Sequence, residues 1–131
     1  MTPPALALRV LPETLAVARL AEDAAVPAWA FAGPGVAAVL RRSGELTVVC
    51  AQDRVAAHDG LVVERGWRAL EVQGPLDFAL TGILAVLAGT LAAAGISIFA
   101  LSTFDTDVLL VRADRLDQAV AALRTDGHEV A

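Results

Sequence analysis

The sequence predicts an α+β fold of two βαββαβ modules in tandem, each an antiparallel sheet with helices on one face. Two observations lead there. The first is an internal repeat: Val48-Val49-Cys50-Ala51-Gln52-Asp53-Arg54-Val55 lies over Leu109-Leu110-Val111-Arg112-Ala113-Asp114-Arg115-Leu116 at a constant offset of 61 residues, and the same offset lays the strand from Val36 over that from Ser97. The second is the order of apolar patterns in each half, which reads strand, helix, strand, strand, helix, strand. The modules divide at residues 1–64 and 65–131.

Each element has a local signal. Residues 6–11 and 15–20 read as strands with a turn at Pro12-Glu13, the second alternating apolar residues with small or charged ones. Pro27, Gly33, Pro34 and Gly35 crowd the next segment and leave room only for a short helical turn over 27–32. Residues 36–41 and 46–51 form a hairpin around Ser43-Gly44, and Asp53 caps a brief turn. The first copy has lost about nine residues of helix: 15 residues lie between Leu20 and Val36, against 24 between Val72 and Ser97.

In the second half, a short apolar run over 61–63 lies between Gly60 and Gly66, and residues 67–72 form a strand ended by Gly74-Pro75. Asp77 is the expected N-cap of a helix running to about Ala94, with Gly95 at its C′ position. Residues 96–102 and 108–111 read as strands joined at 104–106. Asp114 opens an amphipathic helix with Leu116, Val120 and Leu123 on one face, ending near Gly127 before a short strand at Glu129-Val130. The order is the split βαβ pattern of ferredoxin-like sandwiches.

Composition narrows the function. The chain is 56% hydrophobic and 19% charged, enough to fill a core. All ten bases are Arg and the net charge is −5, which removes Schiff-base and phosphate-loop lysine chemistry and opposes binding to a nucleic-acid backbone. The uncharged stretch from Phe78 to Phe104 is long enough to span a bilayer, but glycines at 82, 89 and 95 break it and both flanks are acidic, so a buried helix and strand are expected rather than a membrane span. With one cysteine and an N-terminus unlike a signal peptide, a cytoplasmic location is expected.

No catalytic constellation assembles. Three serines and two histidines give no triad at recognisable spacing, and Gly33-Pro34-Gly35 is no phosphate turn. His58 and His128 read as solvated loop residues, Cys50 as a buried inert thiol, and Trp29 and Trp67 as core or interface aromatics. The chain is expected not to be an enzyme and to need no metal or cofactor.

Two segments have binding chemistry. In Ser102-Thr103-Phe104-Asp105-Thr106-Asp107, hydroxyls and backbone N–H groups suit an α-carboxylate and carboxylates suit an ammonium or guanidinium; the same residues are ordinary in a solvated turn. Thr81-Gly82-Ile83, in the first turn of the long helix, either offers N–H groups to an anion or uses Gly82 for close packing.

Residues 74–84, 91–99 and 102–107, with Trp67-Arg68-Ala69-Leu70 and Glu45-Leu46-Thr47-Val48-Val49-Cys50, resemble the small tandem ACT-domain proteins of bacteria and are similar to the ACT modules of CASTOR-type arginine sensors. The resemblance implies a regulatory module that pairs side by side and binds an amino acid or similar small molecule at a module interface, in a homodimer. It implies ligand contacts from Gly82 and Ile83, Ser97 and Ile98, and Thr103, Phe104 and Asp107. Asp105 departs from the sensors by adding a carboxylate to the loop. Two such acids favour neutral or basic ligands over acidic ones. A structural homodimerisation module without ligand is the alternative.

Overall fold

The computed structural model describes residues 5–74 and 82–131. The elements in chain order are β1 (Ala7–Leu20), a 3-10 turn (Ala28–Phe31), β2 (Ala38–Arg42), β3 (Glu45–Ala51), a second 3-10 turn (Gln52–Arg54) and β4 (Val62–Val72). There follow α1 (Ile83–Ala93), β5 (Phe99–Ser102), β6 (Asp107–Arg112), a third 3-10 turn (Ala113–Arg115), α2 (Leu116–Thr125) and β7 (Glu129–Val130). The fold is mixed α/β, with an antiparallel sheet and two helices. No helix among the described residues is long and apolar enough to cross a membrane.

Two compact units emerge, Glu13–Trp67 and Met1–Pro12 with Arg68–Ala131. In the first, strands run in the order β2-β3-β1-β4. The β2–β3 hairpin turns at Ser43-Gly44, with Arg42 opposite Glu45 and their side chains paired at 3.0 Å. Period-two alternation sends Leu46, Val48 and Cys50 of β3 into a core with Ala18, Leu20 and Ala30. Short 3-10 turns stand where this module would have helices, as the missing residues between 20 and 36 foretell.

The second unit orders its strands β7-β1-β4-β6-β5, with β7 parallel to the start of β1 and β5 antiparallel to β6. Both α-helices belong here. Leu87 and Leu91 of α1 and Ala119 and Leu123 of α2 close over Leu8, Leu70, Leu109 and Val111. Fully burying one such leucine contributes about 1.5–3 kcal/mol.

The structure corrects several expectations. No turn forms at Pro12-Glu13: β1 is one strand of 14 residues. Proline fixes φ at a value a strand accepts and lacks only a donor, and pairing on both sides, residues 15–20 with β3 and residues 7–8 with β7, holds the chain extended. β4 likewise begins at Val62, absorbing the apolar run beside Gly66. β1 and β4 each run through both units.

β5 begins at Phe99 rather than Ile96, and α2 at Leu116, after a 3-10 turn where Asp114 was the expected start. The expected N-cap at Asp77 lies outside the described residues, and α1 is described from Ile83. His128 is buried rather than solvated, its Nδ1 accepting the Leu6 N–H at 3.1 Å.

The 3-10 turns after β3 and β6 are built alike. Each follows an extended residue, Ala51 (φ −53°, ψ 131°) and Arg112 (φ −58°, ψ 140°), and each runs Asp then Arg at its end. Arg54 Nη2 donates to the Pro34 carbonyl and Arg115 Nη1 to the Gly95 carbonyl. Donors and acceptors are both 61 residues apart.

Candidate functional site

The residues singled out from sequence fall in three places: the start of α1, the connection from α1 to β5, and the β5–β6 hairpin. Gly82 is the N-cap of α1 at φ +83°, a left-handed conformation that only glycine adopts readily. The first helical hydrogen bond runs from Val86 N–H to Gly82 O at 2.9 Å, so the N–H groups of Ile83, Leu84 and Ala85 have no acceptor within the helix. Among the described residues a Cβ at Gly82 would meet no neighbour within 4 Å, and its positive φ itself favours glycine.

Ile83 and Ile98 are half-buried against the same core. They position the backbone rather than offering polar groups. Ser97 is exposed in the connection before β5.

The β5–β6 hairpin holds the remaining candidates. Ser102 pairs with Asp107 in register, and the Ser102 hydroxyl donates to Asp107 Oδ1 at 2.6 Å. The Thr103 N–H donates to Thr106 O at 2.7 Å, while the Thr103 hydroxyl donates to that carbonyl and accepts from Thr106 N–H, each at 3.1 Å. The Thr106 hydroxyl reaches Val72 O at 2.7 Å. This turn is thus clasped by its own side chains. Phe104 is 78% exposed at its tip and Asp105 is exposed beside it.

A second polar site went unnoticed in the sequence. Leu15 pairs with Ala51, the last residue of β3, and just past that pair come Thr14 and Glu13 of β1 and Gln52 and Asp53 of the 3-10 turn. These residues and Ala51 line an open cleft of about 270 Å³. Gln52 is fixed from both ends, its carbonyl accepting from Arg65 Nη1 at 2.8 Å and its Oε1 from Gly66 N–H at 3.0 Å. A Cβ on Gly35 (φ +95°) would run into the Glu13 carboxylate, and one on Gly33 would meet Arg54 Nη2 at 2.8 Å. The Gly33-Pro34-Gly35 segment therefore lies flat against both side chains. Its glycines and the Asp53-Arg54 repeat were the signals available.

Cys50 is buried in the core of β3. Burial raises the thiol above its ordinary pKa of 9.0, with Arg54 lowering it and Asp53 raising it by smaller amounts. No group of three or more His, Cys, Asp or Glu side chains among the described residues is placed to hold a metal ion.

Comparison with known proteins adds family information. Residues 62–125 match the family model described as the ACT domain, and a model described as an N-terminal domain matches residues 13–58. A bovine protein described as cytosolic arginine sensor for mTORC1 subunit 1 is 44% identical over 64 residues, which are 47% of this chain. The match spans only 20% of that sensor. The crystal structure of protein Atu0741 from Agrobacterium tumefaciens superposes with a TM-score of 0.90 at 37% identity, over 98% of this chain and 94% of the other. The regulatory subunit of aspartate kinase from Thermus thermophilus shares the fold, with a TM-score of 0.63 at 12% identity over 92% of this chain and 96% of that one.

Proposed function

From its membership of the family of the Agrobacterium tumefaciens protein, with an ACT domain matched over residues 62–125, we propose that this chain is a non-catalytic regulatory protein that binds an amino acid. The match to the ACT domain is the observation that carries the reading. The bovine relative, an arginine sensor by description, and the aspartate kinase regulatory subunit of the same fold support it.

The chain carries two ACT-like modules in tandem. The equivalence of the Arg54 and Arg115 contacts supports the repeat. An amino acid binds where one ACT module meets another across a twofold homodimer. Its carboxylate takes the N–H groups at the start of α1, next to Gly82 and Ile83, and those of Ser97 and Ile98. Its ammonium or basic side chain faces Thr103, Phe104, Asp105 and Asp107.

A thermal-shift screen against the twenty amino acids tests this, because a ligand bound only to the native state raises apparent stability. Neutral or basic amino acids raise the melting temperature, and aspartate and glutamate do not. Asp107→Asn keeps an oxygen for Ser102 while removing the charge. It weakens binding by about 10-fold or more, as expected for a hydrogen bond to a charged group worth roughly 1.5–3 kcal/mol. A flat screen would leave the second reading, a dimerisation module without ligand. The closed hydrogen bonding of the 102–107 hairpin favours that alternative, since a turn that satisfies itself needs no ligand.

A further inference from the structure

One side chain joins the end of α2 to the start of β1. His128 is 6% exposed, and among the described residues its ring makes one hydrogen bond, in which Nδ1 accepts the Leu6 N–H at 3.1 Å. A backbone N–H can only donate, so this Nδ1 carries a lone pair and the ring is the neutral tautomer with its proton on Nε2. A doubly protonated imidazole has no acceptor. The bond to Leu6 and a charge on His128 therefore exclude each other.

The ring is one arm of a larger closure. Its own backbone is anchored to α2: Gly127 takes φ +93°, the Gly127 N–H donates to Arg124 O at 3.0 Å, and the His128 N–H donates to Leu123 O at 3.1 Å. Beyond it β7 runs parallel to β1, with Glu129 N–H to Leu6 O at 2.9 Å, Ala131 N–H to Leu8 O at 3.0 Å and Val10 N–H to Ala131 O at 2.8 Å. β7 has only two residues, so it makes little pairing of its own. Leu6 is thus held at both its N–H and its C=O, and Leu8 and Val130 beside it belong to the core of the second unit.

We propose that His128 is a pH-sensitive clasp: taking up a proton at Nδ1 releases Leu6 and frees β7 from the start of β1, while α2 keeps hold of the His128 backbone. Histidine changes charge between about pH 5 and 8, and the released form takes up the proton that the clasped form excludes, so falling pH favours release. A charge on the ring finds no carboxylate where it stands. The charged side chains of the surrounding elements are engaged elsewhere or face water: Arg124 Nη2 donates to Val130 O at 2.7 Å, Asp126 Oδ2 accepts from the Thr90 hydroxyl of α1 at 2.6 Å, Arg9 of β1 pairs with Glu71 of β4 at 3.1 Å, and Glu129 is exposed. α1 carries no charged residue. The dipole of α2 favours a cation at its end, but it acts on the anchored residue whether or not Leu6 is held.

Hydrogen exchange of the full chain at about pH 7.5 and about pH 5, followed amide by amide in NMR spectra, tests the clasp. After correction for intrinsic rates, protection of the Leu6, Val10, Glu129 and Ala131 amides is expected to fall about 10-fold or more at the lower pH, while the β2–β3 hairpin keeps its own. The imidazole nitrogen shifts are expected to identify the tautomer protonated at Nε2 at the higher pH. His128→Asn keeps an acceptor where Nδ1 stands but takes up no proton, so its protection stays near the wild-type level at both pH values. Equal protection of these four amides at the two pH values in the wild-type chain overturns the proposal. A ring with its proton on Nδ1 at the higher pH, a loss shared by the β2–β3 hairpin, or a drop in His128→Asn as large as that of the wild type overturns it as well. If His128→Asn does not fold, the wild-type protection and the ring shifts decide alone.

Discussion

At the scale of single residues, burial decides what the reactive groups can do. Cys50 is the last residue but one of β3 and has no exposed surface, and its desolvated thiol stays protonated beyond its ordinary pKa of 9.0. A thiol reacts as the thiolate, so Cys50 in the native chain resists iodoacetamide at about pH 8 and is alkylated once denaturant unfolds it. The pH dependence has a definite sign. The folded state holds this proton more tightly than the unfolded one, so its contribution to stability is complete below the ordinary value of 9.0 and is lost as the pH rises through the raised one. Mass spectrometry after timed labelling checks the first point, and rapid native labelling would refute it. His128 shows the converse limit of sequence reading. Flanked by Gly127 and Glu129 it looks solvated, but the strand that follows draws its ring inward to accept the Leu6 N–H, a partner 122 residues away.

At the scale of elements, the turn after β6 ties two helices together. The Arg115 guanidinium reaches the Ala94 and Gly95 carbonyls at 3.4 Å each, placing a cation at the negative end of the α1 dipole. Arg115→Ala therefore lowers stability by about 0.3–1 kcal/mol, read as a shift in the urea midpoint at unchanged slope. An unchanged midpoint would mean that these long bonds contribute nothing. Elements with local signals were legible: the β2–β3 hairpin from Ser43-Gly44, α2 from the spacing of Leu116, Val120 and Leu123, and the 3-10 turn after Pro27. Where long-range pairing outweighs local chemistry the reading failed, as at Pro12-Glu13 and Gly66, which look like breaks and lie inside continuous strands. The cleft was illegible for the same reason. Glu13 and Asp53 are 40 residues apart, and they line one cleft because Leu15 pairs with Ala51 where β3 gives way to the 3-10 turn. The hairpin candidates were found because their chemistry is contiguous, though not the mutual hydrogen bonding that engages them.

At the scale of the whole molecule, the edge strands bear on assembly. An unpaired edge is a template for another strand, and charged side chains along it discourage that pairing. The two edges differ in this respect. On β2, Arg41 donates to the Glu22 and Ala24 carbonyls and Arg42 to Ser43 and Glu45, so the edge is charged and its loop is drawn across to it. β5 has no charge, runs Phe99-Ala100-Leu101-Ser102, and is bounded by the uncharged stretch that reaches back to Phe78. The proposed homodimer therefore pairs through β5, where each copy offers the same edge to the other about a twofold axis. Light scattering at low micromolar concentration is expected to give twice the chain mass of 13.5 kDa. Ala100 is exposed in mid-strand, so Ala100→Lys puts a charge on that edge without entering the core, and it returns the chain to a monomer with an unchanged circular dichroism spectrum. A wild-type monomer would remove the dimer altogether. A dimer that survives Ala100→Lys would move its interface away from β5, and with it the place where one ACT module meets another.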